Sequence, residues 1–138
     1  MAKVLIACEC SGTVRESFKK LGHNAWSCDL KPTEIIGNHY QGDIKDILYD
    51  KWDLIIAHPP CTYFSNAGAR WYYHPKYMDD RINKRNEALE FFKLFSDHKC
   101  DFIAIENPIG SLSNLYKKPT QIIQPFEFGH TTSKATCL

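Results

Sequence analysis

The sequence predicts an α/β fold, a mostly parallel sheet flanked by helices. Three observations predict it. Short apolar strand-like runs alternate with helical stretches along the chain, as in successive β-α units. One of them, residues 53–57 (Asp-Leu-Ile-Ile-Ala), is a nearly unbroken apolar run of the kind buried on both faces of a parallel sheet. Polar or reactive residues follow the strand-like runs while the interiors stay apolar, which places chemistry at the carboxyl edge of a sheet.

Residues 4–7 (Val-Leu-Ile-Ala) form the first strand, and Ser11-Gly12 break it. Val14, Phe18 and Leu21 then recur with charges between them, a helical period over 14–21. Gly22 stops that helix in a capping position, and His23-Asn24 turn the chain. Residues 25–28 make a second strand ending at Asp29, and Lys31-Pro32-Thr33 interrupts the pattern. Residues 39–42 lead into Asp43, and Ile44, Ile47 and Leu48 give a short helix face. Residues 58–77, rich in proline and aromatics, read as loop. A long helix spans 78–98, with Ile82, Ala88, Leu89, Phe92 and Phe95 roughly on one side. Residues 102–105 form another buried strand, 111–116 a short helix, and 121–128 and 134–138 further strands. No internal repeat or low-complexity segment is present.

A chain of 138 residues suits one domain, 1–138, with one core. Its hydrophobic fraction of 43% and charged fraction of 24% are those of an ordinary globular protein. No apolar run is long enough for a membrane span and the first residues do not resemble a signal peptide, so the expectation is a cytoplasmic protein without membrane partners. The net charge of +1 supplies no general attraction to nucleic acid, so any such contact rests on a local patch.

The six cysteines show neither zinc-ligand spacing nor the context of a disulfide framework, and no metal is expected. Cys8, Cys28 and Cys100 lie in or beside apolar segments and read as small buried hydrophobes. Cys61 differs. Pro59 and Pro60 fix two φ angles and remove two N–H donors immediately before it, so a thiol is presented on a stiff loop after a strand. His23, His39, His98 and His130 have no ligand spacing and read as surface or turn residues.

The carboxyl ends in order are Cys8-Glu9-Cys10-Ser11-Gly12, Asp29, Asp43, Pro59-Pro60-Cys61 and Glu106-Asn107-Pro108. By residue type alone, Asp29 and Asp43 are helix caps or turn formers, and Glu106-Asn107-Pro108 is a strand-end turn. The first strand–turn–helix holds one glycine and no G-x-G-x-x-G run, which disfavours a dinucleotide pyrophosphate. A cofactor without phosphates needs no such nest. An acid after the second strand suits ribose hydroxyls, and one after the third can accept from an adenine amino group; S-adenosylmethionine fits.

In the same order, these segments resemble the motifs of the DNA cytosine carbon-5 methyltransferase family over most of the chain. Residues 58–68 (His-Pro-Pro-Cys-Thr-Tyr-Phe-Ser-Asn-Ala-Gly) are the most specific match and resemble its catalytic loop. Residues 7–12 resemble its cofactor loop, without the usual aromatic and second glycine. Asp29 is similar to the ribose-binding acid, Gly42-Asp43-Ile44 to the adenine-contacting segment, and Glu106-Asn107-Pro108 to Glu-Asn-Val with proline for valine. Arg70 stands where the family often has a basic residue. Lys134 lies in the rough place of a Gln-x-Arg-x-Arg motif that is otherwise not recognisable.

The resemblance implies a Rossmann-like methyltransferase domain without a target recognition domain. It implies Cys8, Glu9, Ser11, Gly12, Asp29, Asp43, Pro59 and Pro60 as S-adenosylmethionine contacts, and Ser65, Arg70 and Lys134 as substrate contacts. Cys61, Glu106 and Asn107 would be catalytic. Carbon 5 of cytosine is too poor a nucleophile to take a methyl from a sulfonium. A thiolate adding at carbon 6 makes it an enamine carbon. Glu106 then hydrogen-bonds or protonates N3, and Asn107 holds the loop. The thiolate needs nearby positive charge or aligned amides, for which Arg70, Lys134 and loop amides are candidates.

Residues 70–77 mix basic and aromatic side chains. With Arg81, Lys84 and Arg85 they suit either a surface that tracks a nucleic-acid backbone and stacks on bases or a lid whose aromatics cover the cofactor or pack on the core; a lid that also touches substrate is the preferred reading. The expected partner is DNA or a cytosine nucleotide, with a second subunit as a possible source of target recognition. Two alternatives remain at this point: a non-catalytic nucleotide- or DNA-binding module on a degenerate methyltransferase fold, and a modifier of free cytosine nucleotides.

Overall fold

Strand β1 (Lys3–Ala7) is buried along nearly its whole length with no in–out alternation, as a central parallel strand must be. In the computed structural model, which describes residues 1–66 and 72–138, it pairs in parallel with β2 (Asn24–Asp29) on one side and β4 (Leu54–Ala57) on the other. Strand β3 (His39–Gln41) extends the sheet in parallel beyond β2. With β5 (Phe102–Ile105) the order is β3-β2-β1-β4-β5, so successive strands run outward from β1 in one direction and then the other. The α/β class with a mostly parallel sheet is thus as the sequence predicts. Ligand crevices of such sheets lie where the order reverses, here at the carboxyl ends of β1 and β4.

The chain divides into two compact units, Met1–His58 with His98–Ala104, and Pro59–Asp97 with Ile105–Leu138. In the first, helix α1 (Thr13–Lys20) lays Val14 and Phe18 against Val4, Ile6 and Ala25. Each fully buried aliphatic side chain contributes about 1.5–3 kcal/mol of transfer free energy. The helix ends at Lys20, two residues before Gly22, which takes a left-handed φ of 86° and donates its N–H to the Lys19 carbonyl at 3.0 Å. Register aligns Ala7 with Cys28 and with Ala57, so β1 and β4 end flush and β2 runs one residue further, to Asp29. The helix expected after Asp43 is a single 3₁₀ turn, Ile44–Asp46, whose start the Asp43 carboxylate caps by accepting from the Lys45 N–H at 3.0 Å.

In the second unit, helix α2 (Met78–Ser96) and helix α3 (Leu112–Leu115) close on Phe64, which packs with Phe92, Leu112, Leu89 and Ile105. A small antiparallel sheet joins β6 (Asn107–Pro108), β7 (Ile122–Ile123) and β8 (Thr136–Cys137) in the order β6-β8-β7. The strands expected over 121–128 and 134–138 are only two residues each. Pro125 has no N–H to give a ladder, and residues Pro125–Phe128 form a 3₁₀ turn closed by the Glu127 side chain on the Gln124 N–H at 2.6 Å. Among the described residues no helix is long and apolar enough to cross a membrane.

Candidate functional site

At the carboxyl end of β1 the chain bends sharply. Cys8 sits at φ 60°, a left-handed conformation that a non-glycine residue adopts only when its surroundings compel it. Glu9 follows, almost wholly buried, and its carboxylate turns onto the start of α1. It accepts from the Val14 N–H at 2.7 Å, the Arg15 N–H at 3.4 Å and the Ser11 hydroxyl at 3.1 Å. A fixed anion therefore sits on the free amides of the helix, where its charge opposes the positive end of the helix dipole. Glu9 and Ser11, expected as cofactor contacts, have this structural engagement in the first instance.

Gly12 is buried with φ 76°, and a Cβ there would lie 2.7 Å from Nη2 of Arg15. Arg15 has no exposed side-chain surface. Its guanidinium donates to the Ser27 hydroxyl at 2.8 Å, the Thr33 hydroxyl at 3.1 Å and the Ile35 carbonyl at 2.5 Å, and it meets the Glu16 carboxylate at 3.0 Å. His39 completes the network, joining Ser27 Oγ at 2.8 Å and the Lys31 carbonyl at 3.0 Å. His39 is thus half-buried and engaged rather than a plain turn residue. Sequence reading did not single out Arg15. Its one signal is its place beside Val14 on the inward face of α1, where a basic residue is unusual.

Asp29 and Asp43 have the local roles that their residue types suggest. Asp29 accepts from the Lys31 N–H at 2.9 Å, and Asp43 caps the 3₁₀ turn. Both also act on the sheet edge. Burial first, then the Asp29 carboxylate, Cys28 and Asp43, push the Cys8 thiol up to about 12. Burial, Asp29, Asp43 and Asp46 push Cys28 up to about 11. The two carboxylates expected to hold ribose and adenine therefore both act on the same two thiols. Cys28 is fully buried as expected, whereas Cys8 and Cys100 are half-buried.

In the second unit, Pro59 is buried, Pro60 exposed and Cys61 half-buried at the head of a tight turn. The Cys61 carbonyl accepts from the N–H groups of Phe64 at 2.9 Å and Ser65 at 3.1 Å. Phe64 anchors this turn in the core, and its own carbonyl accepts from the Ser111 N–H at 2.8 Å and the Ser111 hydroxyl at 3.3 Å. Ser65 and Gly110 form an antiparallel bridge, and Gly110 lies so close to the Phe64 carbonyl that no side chain fits there. The turn carrying Cys61 and the loop following Glu106 are therefore built as one piece.

Glu106 is half-buried at the mouth of β6, near enough to raise the Cys137 thiol after burial has done so. Asn107 pairs with Cys137 in the small sheet and is 2% exposed. Neither its Oδ1 nor its Nδ2 has a hydrogen-bond partner among the described residues. Such a group costs about 1–3 kcal/mol and calls for a ligand or water. Ser65 lines a cavity of about 170 Å³ with Asn66, Tyr72 and Arg85. Lys134 is exposed ahead of β8, its carbonyl accepting from the Thr136 hydroxyl at 3.3 Å. Arg70 and Gly68 lie outside the described residues. Among the described residues no cluster of His, Cys, Asp or Glu is arranged to hold a metal ion. Gly110 and Ser111 escaped sequence reading because a backbone contact leaves no mark beyond a lone glycine.

No protein-family model matches this chain, and no curated protein matches it.

Proposed function

We propose that the protein is an S-adenosylmethionine-dependent methyltransferase acting on carbon 5 of cytosine, with Cys61 as nucleophile and Glu106 at N3. The observation that carries the reading is the joint construction of the two loops. The Ser65–Gly110 bridge and the Ser111–Phe64 hydrogen bond hold the Cys61 turn against the segment that bears Glu106 and Asn107. A thiol and a carboxylate that must act on opposite edges of one ring need such a common frame.

The residues at the β1 edge fit the proposed cofactor. The Glu9 carboxylate already occupies the α1 amides that a pyrophosphate would require, so a dinucleotide would meet an anion where it needs donors. A nucleoside cofactor carrying a positive sulfonium meets no such conflict. Asp29 and Asp43 supply acceptors for ribose hydroxyls and an adenine amino group. When bound, the cofactor supplies the electrophilic methyl. Cys61 adds to carbon 6 of the pyrimidine and leaves again after the carbon-5 proton is lost. Glu106 draws off the charge that accumulates at N3. Asn107, buried with an unspent amide, keeps Glu106 and the base edge in register or contacts the base itself.

A cytosine oligonucleotide carrying 5-fluorocytosine, incubated with protein and cofactor, tests the reading. The fluorine cannot leave as a proton does, so the expected result is a cofactor-dependent covalent adduct at Cys61, absent in Cys61→Ser. Cys61→Ser should bind cofactor about as tightly as wild type. No adduct in the wild-type protein, or an equal adduct without cofactor, would defeat the proposal.

A further inference from the structure

Arg81 and Arg85 stand one helical turn apart on α2, on the same face. Arg81 lies over the rings of Tyr63, at 5.3 Å, and Tyr72, at 5.0 Å; Arg85 also lies over Tyr72, at 5.0 Å. The Tyr72 hydroxyl donates to the Tyr63 carbonyl at 2.6 Å, which ties this stack to the turn headed by Cys61. Aromatic rings thus lie against both guanidiniums. Among the described residues, no group hydrogen-bonds Nε or Nη2 of Arg81 or Nε of Arg85, and no carboxylate pairs with either. The nearby Asp80 is paired instead with Lys84, at 3.0 Å.

Two arginines with buried donors that have no hydrogen-bond partner among the described residues carry a desolvation cost that an anion would relieve, Asp80 being engaged by Lys84. Each lines a cavity. Arg81 borders one of about 300 Å³ with Tyr63, Tyr77, Asp80 and Lys84. Arg85 borders one of about 170 Å³ with Ser65, Tyr72 and Ser111. The smaller lies below the range of about 300–1,000 Å³ typical of whole small-molecule ligands and suits a single group. Planar guanidinium donors match phosphate oxygens two at a time. Tyr73, 85% exposed, borders the same cavity and offers a ring on which a base can stack.

We infer that Arg81 and Arg85, braced on Tyr63 and Tyr72, form a phosphodiester-binding site for a single nucleic-acid strand beside the Cys61 turn. The inference rests on the nucleic-acid reading above but not on its methyl-transfer step. A strand is favoured over a duplex because the stacking ring is open and the net charge of +1 provides little field for a continuous double helix.

Fluorescence anisotropy of the full chain with a labelled twelve-nucleotide single strand containing cytosine tests it. Arg81→Gln with Arg85→Gln should weaken binding by about 10–100-fold, the effect of losing charged hydrogen bonds. The slope of log affinity against log salt should become shallower by about 0.7–1.4, for one or two phosphates on a single strand. Arg85→Gln alone, which disturbs only the Tyr72 face, should show part of the loss and guards against misfolding of the double variant. Lys117→Gln with Lys118→Gln removes two charges from an exposed pair and should change little. An equal loss from that pair, equal affinity for deoxycytidine monophosphate, tighter binding of a duplex of the same sequence, or no binding by wild type would overturn the site. Arginine-dependent binding together with a failed fluorocytosine trap would sustain this inference and sink the methyl-transfer proposal alone.

Discussion

Replacing Gly110 by alanine adds one methyl group where the Phe64 carbonyl already sits. The new Cβ would overlap the carbonyl oxygen and lie 2.9 Å from its carbon and 3.2 Å from the Ser65 Cα. All three atoms are backbone, so no side chain can swing aside. The two loops must part. Their separation stretches the Ser111 N–H and hydroxyl bonds to the Phe64 carbonyl, 2.8 Å and 3.3 Å in the native arrangement. Overpacking costs about 1–3 kcal/mol, and each lost hydrogen bond about 0.5–1.5 kcal/mol. The two bonds share one acceptor, so the sum falls near 2–4 kcal/mol. With a urea slope of about 1–3 kcal/mol/M, the unfolding midpoint should fall by about 1–2 M. Ser111→Ala, which removes only the longer bond, should lose about 0.5–1 kcal/mol. Urea titration of both variants gives the comparison. A Gly110→Ala midpoint within about 0.3 M of wild type would refute the account of one rigid piece, as would an alanine variant no worse than Ser111→Ala.

Glu9→Gln leaves one acceptor where two carboxylate oxygens served three donors, and removes the charge at the start of α1. The expected destabilisation is about 1–3 kcal/mol by chemical denaturation, and an unchanged midpoint would show that the carboxylate does not hold the helix. Alkaline pH should also weaken the fold. Cys8 and Cys28 are raised from the ordinary 9.0 to about 12 and about 11, so the unfolded chain loses these protons first. Their contribution is complete below about pH 9 and is lost as the pH rises through 11 and 12. Melting temperatures recorded from pH 8 to 11 should fall more steeply for wild type than for Cys8→Ser; parallel curves would exclude the thiol as a cause.

Much of the sheet was legible because buried parallel strands write themselves as apolar runs. Residues 4–7 and 53–57 could hardly be anything else, and Gly22 marked the end of α1 from composition alone. The small sheet left no such trace. Strands of two residues have no period to read, and Asn107 meets Cys137 only through a long-range pairing. The Cys61 turn announced itself through its two prolines, whereas its attachment to Gly110 is a backbone contact across most of the second unit. The capping role of Glu9 went unread for a different reason. It caps α1 from five and six residues upstream, outside the window in which capping residues are sought. The acids at residues 29 and 43 were read as turn or cap formers by residue type, and the structure displays that role directly.

The guanidinium of Arg15 touches two glycines from opposite ends of the first unit's edge: a Cβ on Gly12 would stand 2.7 Å from its Nη2, and one on Gly37 would stand 2.8 Å away. Positions 12, 15 and 37 are thereby locked into a single choice. A smaller residue at 15 would take one donor from the Ile35 carbonyl and one partner from the Ser27 hydroxyl, yet Gly12 at φ 76° would still strain any side chain and a Cβ on Gly37 would still meet the Glu16 carboxylate at 2.8 Å. One buried cation thus bars side chains at two positions far apart in sequence, each of which is barred a second time by its own backbone or by Glu16.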